Sequence, residues 1–414
     1  MPKVLMIAFH YPPFEGGSGV HRTLKFSRYL PENGWQPIVL TANPRAYPKT
    51  GVQQLAEIPQ NVVVRRAFAC DTARHLSVGG RYLRSMALPD QWVSWWCGAV
   101  ISGLSLIKRY KPSVIWSTYP IATAHLIGLT LKRLTGLPWI ADFRDSMTED
   151  HYPRDVWTRR TYLWIERRAV KHAARFVFTA SSTRQMYLTR YPALKSENCI
   201  LIPNGFDDDD FDGINSEPSA SCHARPVRLL HAGLIYTDDR DPRAFFRAIA
   251  RLKKEGRVNA RELIVDLRAS GSEAYYGKLL AELNIDDIVR LLPPLPYREA
   301  LNDCADADAL IILQAGSCDH QIPAKAYEYL RLRKPILALT TSAGDTSALL
   351  VQVGGATIID LADEDEIYRR LPSFIDAVRA KRHELPDPAM VKRFSRKHQT
   401  LELSNCLHQM APES

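Results

Sequence analysis

The chain has 414 residues, of which 46% are hydrophobic and 24% are charged, and an excess of lysine and arginine gives it a net charge of +9. The length predicts two globular domains, and the composition excludes an intrinsically disordered protein. The basic excess favours anionic partners such as phosphate-bearing substrates or acidic lipid, whereas the absence of RNA-stacking aromatic motifs argues against nucleic acid.

The chain begins with a short apolar run that predicts a buried first strand. Residues 1–14 contain one lysine and two prolines, which makes them a poor signal peptide. Residues 92–107 are the most apolar stretch, but they are shorter than the ~20 residues of a membrane span. Seven scattered cysteines without a CxxC pair argue against a disulfide framework and a zinc site. We therefore expect a cytoplasmic protein.

Short apolar runs alternate with helical patterns along the first half of the chain, which predicts a doubly wound parallel sheet. Amphipathic helices are predicted at 20–30 and 121–134. The predicted strands are residues 4–9, 37–40, 62–64, 114–116, 139–141, 176–179 and 199–202.

The same alternation restarts near residue 228 and predicts a second α/β domain of the same kind. Its predicted helices are 242–255, 275–283, 297–304, 324–332 and 346–353. Its predicted strands are 228–232, 263–270, 289–292, 309–313, 335–339 and 356–359.

The predicted domains are 1–206 and 226–388, with a tail at 389–414. Residues 207–225 between them are polar, and five aspartates lie within 207–212, which indicates a solvated linker or, alternatively, a cation site. The tail is predicted to form one amphipathic helix over 391–410 that packs back on the first domain.

Four motifs occur in order along the chain. A glycine-rich turn joins the first strand to a helix in GGSGVHRTLKF (16–26), and LIPNGFD spans 201–207. LHAG (230–233) is followed by RDP (240–242), and IPAKAYEYL (322–330) is followed by KPILA (334–338). Taken jointly, the motifs resemble GT-B glycosyltransferases of the family-four kind.

The resemblance implies two Rossmann-like domains that face a cleft, with a nucleotide-sugar donor bound mainly by the second. It implies that Glu328 holds the ribose hydroxyls, because a carboxylate can accept hydrogen bonds from a diol. A helix that starts at 323–325 would direct its amides at the diphosphate. The implied donor-binding residues are Gly16, Gly17, Ser18, Gly233, Arg240, Pro323, Ala324, Lys325 and Glu328.

Two positions depart from the family pattern. The first acid of its donor-site motif falls on His320, and the arginine that follows its donor-loop glycine is replaced by Leu234. Arg240 and Lys325 are therefore the candidates for neutralising the diphosphate, and His320 is a candidate at the transferred sugar.

The run WIADFRD (139–145) ends a strand, where open α/β sheets bind ligands. Asp142, Arg144 and Asp145 are the catalytic candidates in this domain, together with His320 in the other. Arg144 between two aspartates indicates either a buried ion network or a site for an anionic acceptor. His10 and His231 are predicted to be packed histidines.

A basic helix face was a further candidate for function. Arg160, Arg167, Lys171 and Arg175 fall near one face, and Trp92, Trp95 and Trp96 lie elsewhere in the domain. The pattern indicates a solvated basic face or peripheral contact with the anionic inner face of a membrane.

The resemblance implies a retaining transfer of a sugar from a UDP-, GDP-, dTDP- or ADP-linked donor, without a metal or cofactor. The expected acceptor is a glycan or a lipid-linked glycan, as in bacterial polysaccharide biosynthesis. Two alternatives stay open: a nucleotide-sugar 2-epimerase of the same fold, and a non-catalytic partner that binds nucleotide-sugars.

Overall fold

The computed structural model describes residues 1–16, 19–214, 225–235 and 240–411. The predictions for Gly17, Ser18 and residues 215–224 lie outside these ranges. The chain divides into two compact units, the first made of Met1–Asn204 and Arg396–Ser414 and the second of Gly205–Ser395.

The first unit alternates strands with helices. Its strands are β1 (Lys3–Ile7), β2 (Gln36–Ala42), β3 (Val63–Ala67), β4 (Val114–Thr118), β5 (Trp139–Phe143), β6 (Arg175–Phe178) and β7 (Cys199–Leu201). Its helices up to that point are α1 (Gly19–Tyr29), α2 (Thr72–His75), α3 (Ser94–Tyr110), α4 (Ala122–Thr135), α5 (Val156–His172) and α6 (Ser181–Arg190).

In the described ranges these strands form one parallel sheet in the order β3-β2-β1-β4-β5-β6-β7. Apolar side chains are buried on both of its faces, as expected for a parallel sheet covered by helices. Every strand predicted for this half is found. The strand order reverses between β1 and β4, so a ligand crevice is expected at their carboxyl ends.

The second unit repeats this plan. Its strands are β8 (Val227–Ala232), β9 (Leu263–Arg268), β10 (Val289–Leu292), β11 (Ala309–Leu313), β12 (Ile336–Leu339) and β13 (Ala356–Ile359). Its helices are α7 (Arg243–Lys254), α8 (Glu273–Glu282), α9 (Tyr297–Asp306), α10 (Ala324–Leu332), α11 (Asp345–Val353), α12 (Glu364–Arg379) and α13 (Pro388–Lys392).

The second sheet is also parallel, in the order β10-β9-β8-β11-β12-β13, and it has a core on each face. All strands predicted for this half are present. The order reverses between β8 and β11, which places the expected crevice after Ala232 and Leu313. The prediction of two doubly wound domains is confirmed.

The predicted single tail helix is wrong. The chain forms α13, turns at residues 393–395, and then forms α14 (Arg396–His408). Ser395 makes a parallel β-bridge to Phe206 within the second unit, and this pairing interrupts the helix. Helix α14 belongs to the first unit, where Leu403 and Leu407 pack in the core beneath β1.

The polar stretch after residue 206 differs from the predicted linker. Residues 205–214 are part of the second unit, and Phe211 is buried there. Asp207 caps the short helix Asp208–Phe211, and Asp208 forms an ion pair with Arg331 at 2.8 Å. Within the described ranges, no group of three or more His, Cys, Asp or Glu residues could hold a metal ion.

The predicted basic face is only partly assembled. Arg175 lies in β6 rather than in a helix, and Trp95 is fully buried in the core. The indole nitrogens of Trp92 and Trp96 donate to the Ala46 carbonyl and the Thr130 hydroxyl, so both rings pack inward. Among the described residues, no helix is both long and apolar enough to cross a bilayer.

Candidate active site

The strongest candidate site lies at the carboxyl end of the second sheet. Strands β8 and β11 pair in parallel there, and each is followed by a loop. Gly233 follows β8 with a φ of +120°, a conformation that favours glycine. A Cβ atom at this position would lie 2.9 Å from Lys325 Nζ, so the missing side chain also lets the ammonium approach the backbone.

Lys325 stands in the first turn of α10. Pro323 is the N-cap, and it makes no side-chain capping hydrogen bond. The first backbone amides of a helix have no partner within the helix, and the helix dipole makes this end positive. The amides of Ala324 and Lys325, with the lysine ammonium, therefore suit a phosphate group.

A buried histidine supports this lysine. His231 Nε2 lies 3.0 Å from Lys325 Nζ, and His231 Nδ1 lies 2.9 Å from the carbonyl oxygen of Ile311. Burial, followed by the Lys325 charge, lowers the pKa of His231 well below its usual value. Burial, followed by the Arg240 charge, lowers the pKa of Lys325 to about 7, against the opposing influence of Glu328.

Arg240 and Glu328 complete the predicted donor set. Arg240 donates from Nη1 to the carbonyl oxygen of Leu234 at 2.8 Å, so the guanidinium lies beside the loop that follows β8. The Tyr297 hydroxyl donates to Glu328 Oε1 at 2.9 Å. Both Arg240 and Glu328 influence the charge of Lys325. The structure thus brings Gly233, Arg240, Lys325 and Glu328 to one edge of the sheet.

His320 lies in the loop between β11 and α10. Gln314 holds that loop by donating from Nε2 to the carbonyls of Cys318 and Gln321, at 2.7 and 2.8 Å. The side chain of His320 is half-buried, and its Nε2 lies 3.4 Å from Gln321 Nε2. The preceding residue, Asp319, accepts from the Thr341 hydroxyl at 2.7 Å, which commits its carboxylate to the neighbouring loop.

Sequence reasoning missed three polar residues at this edge. Ser270 after β9, Gln314 after β11 and Thr340 after β12 are buried, and each has a side-chain oxygen with no hydrogen-bond partner in the described part of the chain. Buried polar atoms are rarely left unpaired in native proteins. Such residues concentrate where a ligand or its waters would sit, although their sequence pattern gives no signal.

The first unit carries a second cationic group at the carboxyl end of its sheet. Arg144, after β5, is buried and donates from Nη1 to the carbonyl oxygen of Gly19 at 3.3 Å. Its Nε has no partner among the described residues. Burial lowers its pKa, and Asp145 opposes that shift. The guanidinium of Arg144 therefore remains a candidate site for an anion.

His10 lies beside Arg144. Burial, followed by the Arg144 charge, lowers the pKa of His10 to about 3, so the ring is neutral. The ring stacks on Phe14 with centroids 4.4 Å apart. A Cβ atom on Gly19 would come within 2.7 Å of His10 Nδ1, so only glycine fits where α1 begins. Gly16, in the same loop, is exposed and has a φ of +143°.

The other two catalytic candidates of this unit, Asp142 and Asp145, lie in different surroundings. Asp142 is fully buried and accepts from Arg22 Nε and Nη2 at 2.9 and 3.2 Å. Arg22 also donates to the carbonyls of Ile202 and Pro203. The Asp142 carboxylate is therefore paired with Arg22, which ties α1 to β5 and the end of β7. Asp145 is half-buried near Tyr119: burial raises the pKa of that phenol well above its usual value, and the Asp145 charge acts in the same direction.

Residues 16–205 match the family model described as the Glycosyl transferase 4-like domain. A search of curated protein sequences gives no match. The family match covers most of the first unit, and together with the solved structures described next it confirms the resemblance found in the motifs.

Solved structures match the whole chain. Sucrose-phosphate synthase from Thermosynechococcus elongatus has a TM-score of 0.66 at 14% identity, over 99% of this chain and 99% of that one. HepE from Anabaena, solved with UDP-glucose, has 0.61 at 12%, over 98% and 99%. The UDP-GlcNAc 2-epimerase from Methanocaldococcus jannaschii has 0.55 at 11%, over 98% and 99%. At these identities the likeness shows the fold, which is GT-B; with the family match it supports a glycosyltransferase.

Proposed function

We propose that this chain is a nucleotide-sugar-dependent glycosyltransferase of the retaining kind, acting in bacterial polysaccharide or glycoconjugate assembly. The second unit binds the donor, with its diphosphate at Gly233, Arg240 and the first turn of α10, and its ribose at Glu328. The first unit binds a glycan or lipid-linked glycan acceptor near Arg144.

One observation carries this proposal: Lys325 is a cation held at a helix N-terminus, beside a glycine, at the point where the strand order reverses. Open α/β sheets bind ligands at that point, and these three features together select a phosphate-bearing ligand. A solvated lysine would have neither a buried histidine as its neighbour nor a glycine whose added Cβ would lie 2.9 Å from its ammonium.

In the proposed reaction the bond between the anomeric carbon and the diphosphate oxygen breaks, and a bond to the acceptor oxygen forms on the same face. The acceptor hydroxyl gives its proton to the leaving phosphate oxygen. Lys325, Arg240 and the α10 amides would stabilise the negative charge that develops on the diphosphate. We propose that this chemistry needs no metal or cofactor.

The test is calorimetric titration with UDP, GDP, dTDP, ADP and the matching nucleosides. One diphosphate should bind tighter than its nucleoside, and Lys325→Ala should remove most of that difference. Lys278→Ala is the matched control, because Lys278 is an exposed lysine of the same unit that pairs only loosely with Glu282 at 3.8 Å. A wild-type protein that binds none of these diphosphates would refute the proposal. Donor conversion without an acceptor would instead indicate the 2-epimerase.

We also propose that the first unit contacts an anionic membrane through the exposed face of α5. This face presents Trp157, Arg160, Trp164, Arg167 and Lys171, at helical spacing. The acid of this helix, Glu166, is buried among Thr148, Tyr187 and Tyr191, so the exposed face is basic. Tryptophan with arginine and lysine is typical of helices that lie in a lipid interface.

Cosedimentation with vesicles of neutral lipid, with and without anionic lipid, tests this contact. The double variant Trp157→Ala/Trp164→Ala should reduce binding to anionic vesicles, because it removes the two indoles that would enter the interface. Lys108→Ala/Arg109→Ala, at the end of α3, is a control for loss of charge elsewhere on the unit. Equal binding of the wild type to both vesicle types would contradict the proposal.

A further inference from the structure

The contact between His231 and Lys325 has a defined hydrogen-bond polarity. The Ile311 carbonyl can only accept, so His231 Nδ1 must carry the hydrogen that is shared across 2.9 Å. The other nitrogen, Nε2, is then an acceptor, and it faces the Lys325 ammonium at 3.0 Å. The Ile311 carbonyl of β11 thereby favours this tautomer of a side chain on β8, and the backbone of Gly233 is a second hydrogen-bond partner of the ring.

The choice of a neutral acceptor matters for the lysine. An aspartate or glutamate in this place would hold the ammonium equally well, but it would also neutralise it. In the described part of the chain the imidazole is the hydrogen-bond partner of Lys325, and no ion pair with a carboxylate is formed. The hydrogen-bond partner of Lys325 therefore fixes the position of the ammonium without neutralising it, and the positive charge stays available to a bound anion.

Every charged group that acts on this lysine fits that arrangement. Arg240, from the loop after β8, repels it, whereas Glu328, one turn along α10, acts in the opposite sense. A side chain at position 233 would collide with the ammonium, because its Cβ would lie 2.9 Å from Nζ. The ammonium therefore has His231 as its hydrogen-bond partner, and a neutral imidazole does not cancel its charge.

We propose that His231 is a positioning residue for the donor: its neutral imidazole holds Lys325 where the ammonium meets the diphosphate. This role rests on the proposed function, since it assumes that a nucleoside diphosphate is the ligand. It requires that His231 act only through Lys325. The effect of changing His231 should therefore disappear when Lys325 is absent.

Two substitutions test the hydrogen bonds of the two His231 nitrogens separately. In His231→Asn the side-chain amide can still donate to the Ile311 carbonyl, but it is too short to reach Lys325. In His231→Gln the longer side chain can place an oxygen near the former Nε2. Tyr329→Phe is the matched control, because the Tyr329 hydroxyl accepts from the Ala232 amide at the next residue of β8 and has no bond to Lys325.

The experiment measures affinity for the nucleoside diphosphate that binds the wild type, and for its nucleoside, by calorimetry. We expect His231→Asn to weaken binding of the diphosphate roughly tenfold, as for a lost hydrogen bond to a charged group. The nucleoside should bind unchanged, His231→Gln should recover most of the loss, and Tyr329→Phe should bind the diphosphate as the wild type does. Within a Lys325→Ala background, His231→Asn should have no further effect on the diphosphate.

Three outcomes would contradict the positioning role of His231. Equal losses with and without Lys325 would show that His231 is only structural. An unchanged diphosphate affinity in a folded His231→Asn protein would show that it has no role in positioning. If the wild type binds no nucleoside diphosphate, the proposed function fails and this role fails with it, which distinguishes that case from the other two.

Discussion

Replacing Glu328 by alanine tests the ribose assignment. Glu328 lies in the second turn of α10, and its Oε1 already accepts from Tyr297. A hydrogen bond to a charged acceptor is worth about 1.5–3 kcal/mol. Because the side chain is only partly buried and Tyr297 shares it, we expect a loss of about 2–3 kcal/mol rather than the sum of two bonds. That loss corresponds to a nucleotide affinity roughly 30- to 150-fold weaker.

The decisive assay compares the nucleoside diphosphate with its 2′-deoxy and 3′-deoxy analogues, in the wild type and in Glu328→Ala. If the carboxylate accepts from the ribose, the wild type should discriminate against the deoxy ligands and the variant should not. Glu282→Ala, an exposed carboxylate on α8, is the control and should bind all three ligands as the wild type does. Equal discrimination by the wild type and Glu328→Ala would refute the assignment.

Three further predictions concern charge. Arg240→Ala should weaken binding of the diphosphate far more than binding of the nucleoside, as measured by calorimetry. Equal losses of affinity for the two ligands would show that Arg240 is only structural. The wild-type affinity for the diphosphate should fall as pH rises through about 7, by up to about tenfold per pH unit, because Lys325 loses its proton there; Lys325→Ala should lose this dependence. Arg22→Met should destabilise the first unit by about 3–5 kcal/mol in urea unfolding, since it leaves Asp142 buried without its partner. Arg247→Met, which removes an exposed ion pair with Glu364, should change stability little and serves as its control.

The strands were predictable because parallel strands are buried on both faces. Runs such as those of β1 and β11 are short, apolar and continuous, so they can be identified in the sequence without knowing which strands they pair with. The tail was not predictable in this way. Its helical pattern continues through residues 393–395, but the bridge between Ser395 and Phe206 joins segments almost 190 residues apart and ends the helix there.

The site was predictable where the residues of one motif lie on a single helix, because their spacing in sequence then determines their spacing in the structure. The IPAKAYEYL run puts Lys325 and Glu328 one turn apart on one helix, and the structure places both beside Gly233. His231 was interpreted as a packed histidine, because nothing near it in sequence shows that β8 pairs with β11. The pairing register decides which carbonyl faces its ring, and that carbonyl fixes the nitrogen that meets Lys325.

The two units share one arrangement of histidine and cation. Each places a neutral histidine beside a cation at the carboxyl end of its sheet: the half-buried His10 beside Arg144, and the buried His231 beside Lys325. Burying a cation without a carboxylate costs free energy, and the pKa of each cation is lowered accordingly. Asp145 and then Asp142 oppose the shift at Arg144 without cancelling it, and the Asp142 carboxylate is paired with Arg22. An arrangement this costly is expected where an anion arrives to relieve it, so both edges are expected to bind negatively charged parts of the substrates.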